Sequence, residues 1–176
     1  MKLSKAMNDA INAQINKELY SSYLYLAMSA FVETVNFRGA AQWLRAQSAE
    51  EYMHAMKFYD FVINSGALVQ LKAIAAPPVK FKNLIGVFEE VLEHEQMVSA
   101  SIEKLYETSM KERCFSAQPM LQWFINEQIE EEQTARDILA KLNMLKNDPS
   151  SLLALDAELG QRVAAAAPGT ASAPAE

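Results

Sequence analysis

Glycine and proline are scarce in this chain, and their positions decide what it can fold into. Five glycines and six prolines punctuate 176 residues. The stretches between them are rich in Ala, Leu, Met, Glu, Gln and Lys, the residues that lose least on entering a helix. The chain therefore reads as all-α. Four long periodic segments stand out, from about Ser4 to Val35, Gly39 to Ser65, Leu84 to Met110 and Gln118 to Lys146. Each spans about 40 Å at 1.5 Å per residue. Gly66 is placed to cap the second segment, and Pro119 suits the first turn of the fourth. Asp148 as N-cap and Pro149 at the first helical position open a short fifth helix.

The connections differ in length. The first segment reaches the second, and the third reaches the fourth, through short links that make antiparallel neighbours. Between the second and third lies "ALVQLKAIAAPPVKFKN", where Pro77 and Pro78 forbid an ordinary helix. That stretch is long enough to run the length of a bundle. The expected architecture is an antiparallel four-helix bundle with one long crossover between helices 2 and 3, plus a short fifth C-terminal helix, the ferritin-like arrangement. The bundle takes residues 1–146 and the fifth helix 147–163. Residues 164–176, with nothing large to bury, read as a disordered Ala/Pro tail.

Helical residues advance about 100° each, so spacing places side chains around each axis. Glu18 falls within about 60° of Ile11, Ile15, Ser22 and Ser29. Glu51 falls within about 40° of Ala40, Leu44, Ala55, Phe58 and Val62, with His54 one turn on. Glu95 shares the face of Leu84, Phe88, Ile102 and Tyr106. Gln128 shares that of Leu121, Phe124, Ala135, Leu139 and Leu142, with Glu131 one turn further and Glu132 near the same arc.

One polar residue in an apolar stripe is usually a satisfied core group. Acids in four stripes at once are different, because burying unpaired carboxylates costs several kcal/mol each. Lys17, Lys57 and Lys104 project away from these arcs, and Arg136 is better placed to pair with Glu132, four residues earlier. The acids must then be protonated or meet cations. Two divalent metals would bring the needed charge, and the "E-x-x-H" of Glu51 and His54 puts two ligand atoms on one face of one helix. Histidine with carboxylates suits iron, manganese or zinc. The residues leave open a di-metal oxidase or oxygenase, or a helical interaction protein that binds no metal.

Charge and composition narrow the field. The formal net charge is −6 and no basic run appears, which argues against nucleic acid. Cys114 is the single cysteine, so no disulfide framework forms within one chain, and a reducing, cytoplasmic setting is the simplest expectation. No apolar run approaches the length of a membrane span.

"NKELYSSYLYLAMSAF", "FRGAAQWLRAQSAEEYMHAMKFYDFVINSG", "EHEQ" and "LQWFINEQIEEE" together resemble the bacterial non-haem ferritins, in order and with matching segment lengths to about residue 160. The resemblance implies a shell of 24 subunits around a cavity storing hydrated ferric oxide. It implies a ferroxidase centre in each bundle, fed by Fe(II) and dioxygen or peroxide. Glu18, Glu51 and His54 would hold the first iron. Glu51 would bridge to a second iron held by Glu95 and Glu131, with Gln128 beside it. A third, weaker site would correspond to Glu50, Glu127 and Glu130, sharing Glu131. Tyr25 matches a tyrosine that lies near the iron pair and donates an electron. Trp123 projects away from its stripe. Bacterioferritins repeat "E-x-x-H" in the fourth helix, where "Q-x-x-E" stands here, so the second metal should be held less firmly. Tyr52 occupies the place of their haem-binding methionine, so no haem is expected.

Overall fold

The computed structural model describes residues 3–162, which form five helices and no strand: α1 Lys5–Thr34, α2 Arg38–Asn64, α3 Leu84–Lys111, α4 Gln118–Leu145 and α5 Pro149–Leu159. The ends of α1 to α4 lie within one residue of those the sequence suggests, whereas α5 stops at Leu159, four residues short of the expected end at 163. The tail expected over 164–176 lies outside the described residues. Among those described, no helix is long and apolar enough to cross a membrane.

Local chemistry sets the helix ends. Ser4 accepts from the Met7 N–H at 3.2 Å, and Asn83 from that of Gly86 at 2.8 Å, each satisfying a donor of the first turn. Gly66, with φ +67°, closes α2. The Ala67 N–H reaches the Val62 carbonyl and the Gly66 N–H that of Ile63, the paired bonds of a Schellman end. Asn36 and Arg113, also at positive φ, close α1 and α3 in the same way. Neither announces itself in the sequence as Gly66 does.

Cross-helix bonds fix the directions. The Ser29 hydroxyl donates to the Ala41 carbonyl and the Ser22 hydroxyl to that of Ser48, so α2 runs antiparallel to α1. Ser21 meets His94 while Gln14 accepts from the Ser101 hydroxyl, so α3 also opposes α1. The pairs Gln47 with Glu131 and Phe58 with Phe124 show that α4 opposes α2. Helices α2 and α3 are therefore parallel, and the chain between them must travel the bundle's length.

An asparagine row on α1 holds that crossover. Asn8 and Asn12 donate to the Leu68 carbonyl, Asn12 accepts from the Gln70 N–H at 2.6 Å, and Asn16 donates to the Ala73 carbonyl. Spaced four apart, these amides share one face of α1 and stand in for the partner strand that an extended backbone lacks.

The buried apolar residues divide into two clusters. One contains Tyr25, Met28, Leu44, Phe88 and Leu142, and the other Ile11, Phe58, Ile102, Leu121 and Phe124. In every helix of the bundle the break between them falls at the inward polar residues. The core is thus two hydrophobic halves with a polar layer between.

Helix α2 has no side-chain cap of its own. Asp156 of α5 supplies one, accepting from the N–H groups of Gly39 at 3.0 Å and Ala40 at 2.8 Å. A Cβ on Gly39 would stand 1.6 Å from the Asp156 carbonyl oxygen, so only glycine allows α5 this close. Asp156→Ala should lower stability by about 1 kcal/mol, and Gly39→Ala should push α5 off. Limited proteolysis around residues 150–160 reports both, and parent-like resistance in Gly39→Ala would show that the close contact is dispensable.

Candidate metal centre

The polar layer contains every acid expected to face inward. Glu18, Glu51 and Glu95 are each 1% exposed, His54 4% and Glu131 6%. Glu18, Glu51 and His54 each offer one ligand atom within 4.8 Å of the others, across α1 and α2. The His54 Nδ1 lies 3.6 Å from a Glu51 oxygen. Among the described residues no Lys or Arg forms an ion pair with Glu18, Glu51, Glu95 or Glu131.

Their hydrogen bonds are incomplete. Gln14 donates to one Glu18 oxygen at 2.7 Å; among the described residues Oε2 has no partner, and neither Glu51 oxygen has one. Buried polar atoms are rarely left this way. The arrangement has the donor chemistry a hard or borderline cation requires: orphaned carboxyl oxygens beside an imidazole, sealed by apolar halves on both sides.

Glu95 and Glu131 approach Glu51 from α3 and α4 without closing into the same compact trio. Glu95 accepts from the Tyr25 hydroxyl and from the Gln128 amide at 3.0 Å. Glu131 accepts from the Gln47 amide at 2.7 Å. Gln128 thus turns its N–H towards Glu95 and orients that carboxylate.

Burial and mutual repulsion raise the proton affinity of the group. Glu18 is pushed well up by burial and then by Glu51, and Glu51 by burial and then by Glu95 and Glu131. Glu95 is raised by burial, against the opposing effect of its Tyr25 and Gln128 bonds. Glu131 is raised to about 7, by burial first. The Tyr25 phenol is pushed well up by burial and by Glu95. Such shifts mark acids that ordinary pairing does not satisfy.

The remaining candidates sit beside this layer. Glu50, Glu127, Glu130 and Glu131 line one cavity of about 280 Å³, with Trp43 and Arg162 on its wall. Glu50 and Glu127 also come within ligand reach of His54. Glu132 turns away from the centre, taking the Ser99 hydroxyl and the Arg136 guanidinium, both bonds under 3 Å. Trp123 lies off the stripe as spacing suggests, yet its ring meets His54 edge-on at 5.6 Å, with the Lys57 ammonium over its face. Tyr52 is half exposed.

Four participants escape the sequence-level reading. Gln14 and Gln47 each precede an inward glutamate by four residues, so the same stripe argument applied to amides finds them. His94 is buried, with its ring Nε2 2.8 Å from the Ser21 hydroxyl, and burial lowers its pKa to about 4. Arg162 follows the last helix, where no periodicity points to it. Glu50 accepts from its guanidinium at 2.7 Å.

The ferritin-like domain family matches residues 8–145, a span that takes in all four bundle helices and the polar layer. The chain belongs to the ferritin family. It is 39% identical over 158 residues to a probable bacterial non-heme ferritin-like protein of Haemophilus influenzae, covering 90% of this chain and 96% of the relative. It is 36% identical to a bacterial non-heme ferritin of Bacteroides fragilis, covering 91% and 99%. Among solved structures, an open-pore ferritin of the archaeon Archaeoglobus fulgidus matches with TM-score 0.91 and 42% identity, over 92% of this ferritin and all of that one.

Proposed function

We propose that this ferritin stores iron by oxidising Fe(II) at a pair of sites within each bundle and depositing ferric oxide inside a 24-subunit shell. The observation that carries the proposal is the set of orphaned, deeply buried oxygens on Glu18 and Glu51 beside His54. Glu18, Glu51 and His54 hold the first iron, and Glu51 extends to a second held by Glu95 and Glu131. Two metals about 3.5–4 Å apart are a recurrent catalytic arrangement.

The pair gives up two electrons together, which reduce one dioxygen to peroxide or one peroxide to two waters. The chain's part is to bring the two ions into one apolar-walled layer and to balance their charge. Gln14, Gln47 and Gln128 hold the carboxylates in place by donating to them. Tyr25 donates its hydroxyl to Glu95 and so helps to hold that carboxylate in place beside the pair. Glu50, Glu127 and Glu130, with Glu131, form a weaker third site on the way out of the bundle. Haem has no part in the scheme, and the setting is cytoplasmic.

Stopped-flow absorbance after aerobic Fe(II) addition tests the scheme. The parent should show a fast ferric signal saturating near two Fe(II) per subunit. His54→Ala should slow it by about 100-fold or more, since even outer partners of a metal site cost 10–100-fold. A His54→Ala protein as fast as the parent would move the first site elsewhere. Light scattering checks the shell, with a particle mass near 24 times 19.6 kDa expected.

The other reading on the same scaffold is a di-metal oxygenase acting on an organic substrate. Apolar clusters fill the bundle on both sides of the polar layer, which favours small inorganic reactants over it.

A further inference from the structure

We infer that Arg162 is the resident counter-ion of the four-acid cavity, and that a metal ion settles there only by displacing it. The inference rests on the third-site reading above. It adds that the chain carries its own competitor for that site, as a positioning residue and not a ligand.

Arg162 is brought there by α5. Asp156 seats that helix on the first turn of α2, and the Lys141 ammonium of α4 bonds Glu158 at 2.7 Å. Three residues past the end of α5, the Arg162 guanidinium lies 4.8 Å from the Trp43 ring centre. Its Nη2 bonds the Glu50 Oε2 at 2.7 Å. A guanidinium held on that carboxylate and a metal ion entering beside it carry like charge and repel each other at this distance, so the two compete for Glu50.

The hold is strong enough to compete and loose enough to yield. A charge-assisted bond and a ring contact keep the guanidinium in place. Its Nη1, however, is buried with no partner among the described residues, so within them the fork is satisfied on one limb only. The same positive charge shares the cavity lining with Glu131, Glu127 and Glu130. An ion leaving the central pair would meet a cavity already part-neutralised. It would be held briefly and passed on, because a site available for only part of the time binds with proportionately lower apparent affinity.

Calorimetric titration of metal-free protein with Zn(II), which binds without redox change, tests this. The parent should bind two ions per subunit tightly and a third weakly. Arg162→Gln should tighten the third event by about ten-fold, the scale of one partly exposed charged hydrogen bond, and leave the first two within about two-fold. Arg162→Lys, keeping a cation, should stay close to the parent. Glu130→Gln, which removes an acid that Arg162 does not bond, should abolish the third event in either background. A third event of equal affinity in parent and Arg162→Gln overturns the inference and leaves the third site standing. Absence of a third event from every variant, or its survival in Glu130→Gln, overturns the third-site reading and the inference with it. Arg162 lies beyond the last helix, and circular dichroism confirms that each variant is folded.

Discussion

Glu51→Gln is expected to abolish rapid Fe(II) oxidation and, in the same molecule, to make the metal-free protein more stable. The two effects share one cause. Glu51 is 1% exposed, both its oxygens lack partners, and Glu95 and Glu131 crowd it. With metal bound, it is the ligand that joins both sites, and an amide cannot carry the bridging charge. Without metal, its charge is a burden the fold tolerates by holding a proton. The amide removes that burden at nearly constant volume, so no cavity is opened. The gain at pH 8 should be roughly 1–4 kcal/mol, the range seen when buried charges are replaced by neutral groups. For a chain of this size each kcal/mol raises Tm by about 2–4 °C. Calorimetry with and without Zn(II) shows both halves: the variant should melt above the metal-free parent and gain little from Zn(II). Equal Zn(II) stabilisation of parent and variant would mean that Glu51 is not a ligand.

The second large effect is an inverted pH dependence of the metal-free protein. Most proteins lose stability as acid protonates paired carboxylates. Here Glu131 is raised from the usual 4.5 to about 7, and Glu18, Glu51 and Glu95 are raised as well. Between the unfolded and folded values the folded chain binds more protons than the unfolded one, so stability falls as pH rises. The contribution is fully present below about pH 4.5 and is lost as pH passes about 7. Glu131 alone accounts for a difference on the order of 3 kcal/mol. Metal binding must expel these protons, so uptake near neutral pH releases acid and reverses the trend. Thermal melts at pH 5 and pH 8, with and without Zn(II), check it. A metal-free Tm that rises over this interval by the same amount in the parent and in Glu131→Gln would sink it.

How far the sequence leads is itself a matter of local physics. The helices are legible because breakers are few and apolar spacing is regular, and the inward acids because a 3.6-residue period locates them without reference to any other helix. Features that depend on the meeting of distant segments stay hidden. Nothing local marks Asn36 or Arg113 as left-handed, since most residues of their kinds are not. The asparagine row of α1 looks like an ordinary solvated face until Leu68, Gln70 and Ala73 are laid along it. Asp156 looks like a surface acid in a short helix, although it caps another helix more than a hundred residues earlier. Arg162 reaches Glu50 only once α5 has docked. The resemblance supplied the pairing of acids between helices, which spacing within single helices does not contain.

The polar layer between two apolar halves also dictates where this molecule's length can change. One residue added within α1, α2, α3 or α4 would turn everything beyond it by about 100°, swinging one half's packing surface into water or one acid out of the centre. Each helix is therefore a ruler read from its middle outwards. Growth and shortening belong to the connections and the chain ends, and engineered insertions should be accepted along the crossover, whose anchorage to Asn8, Asn12 and Asn16 is mostly through its own peptide groups.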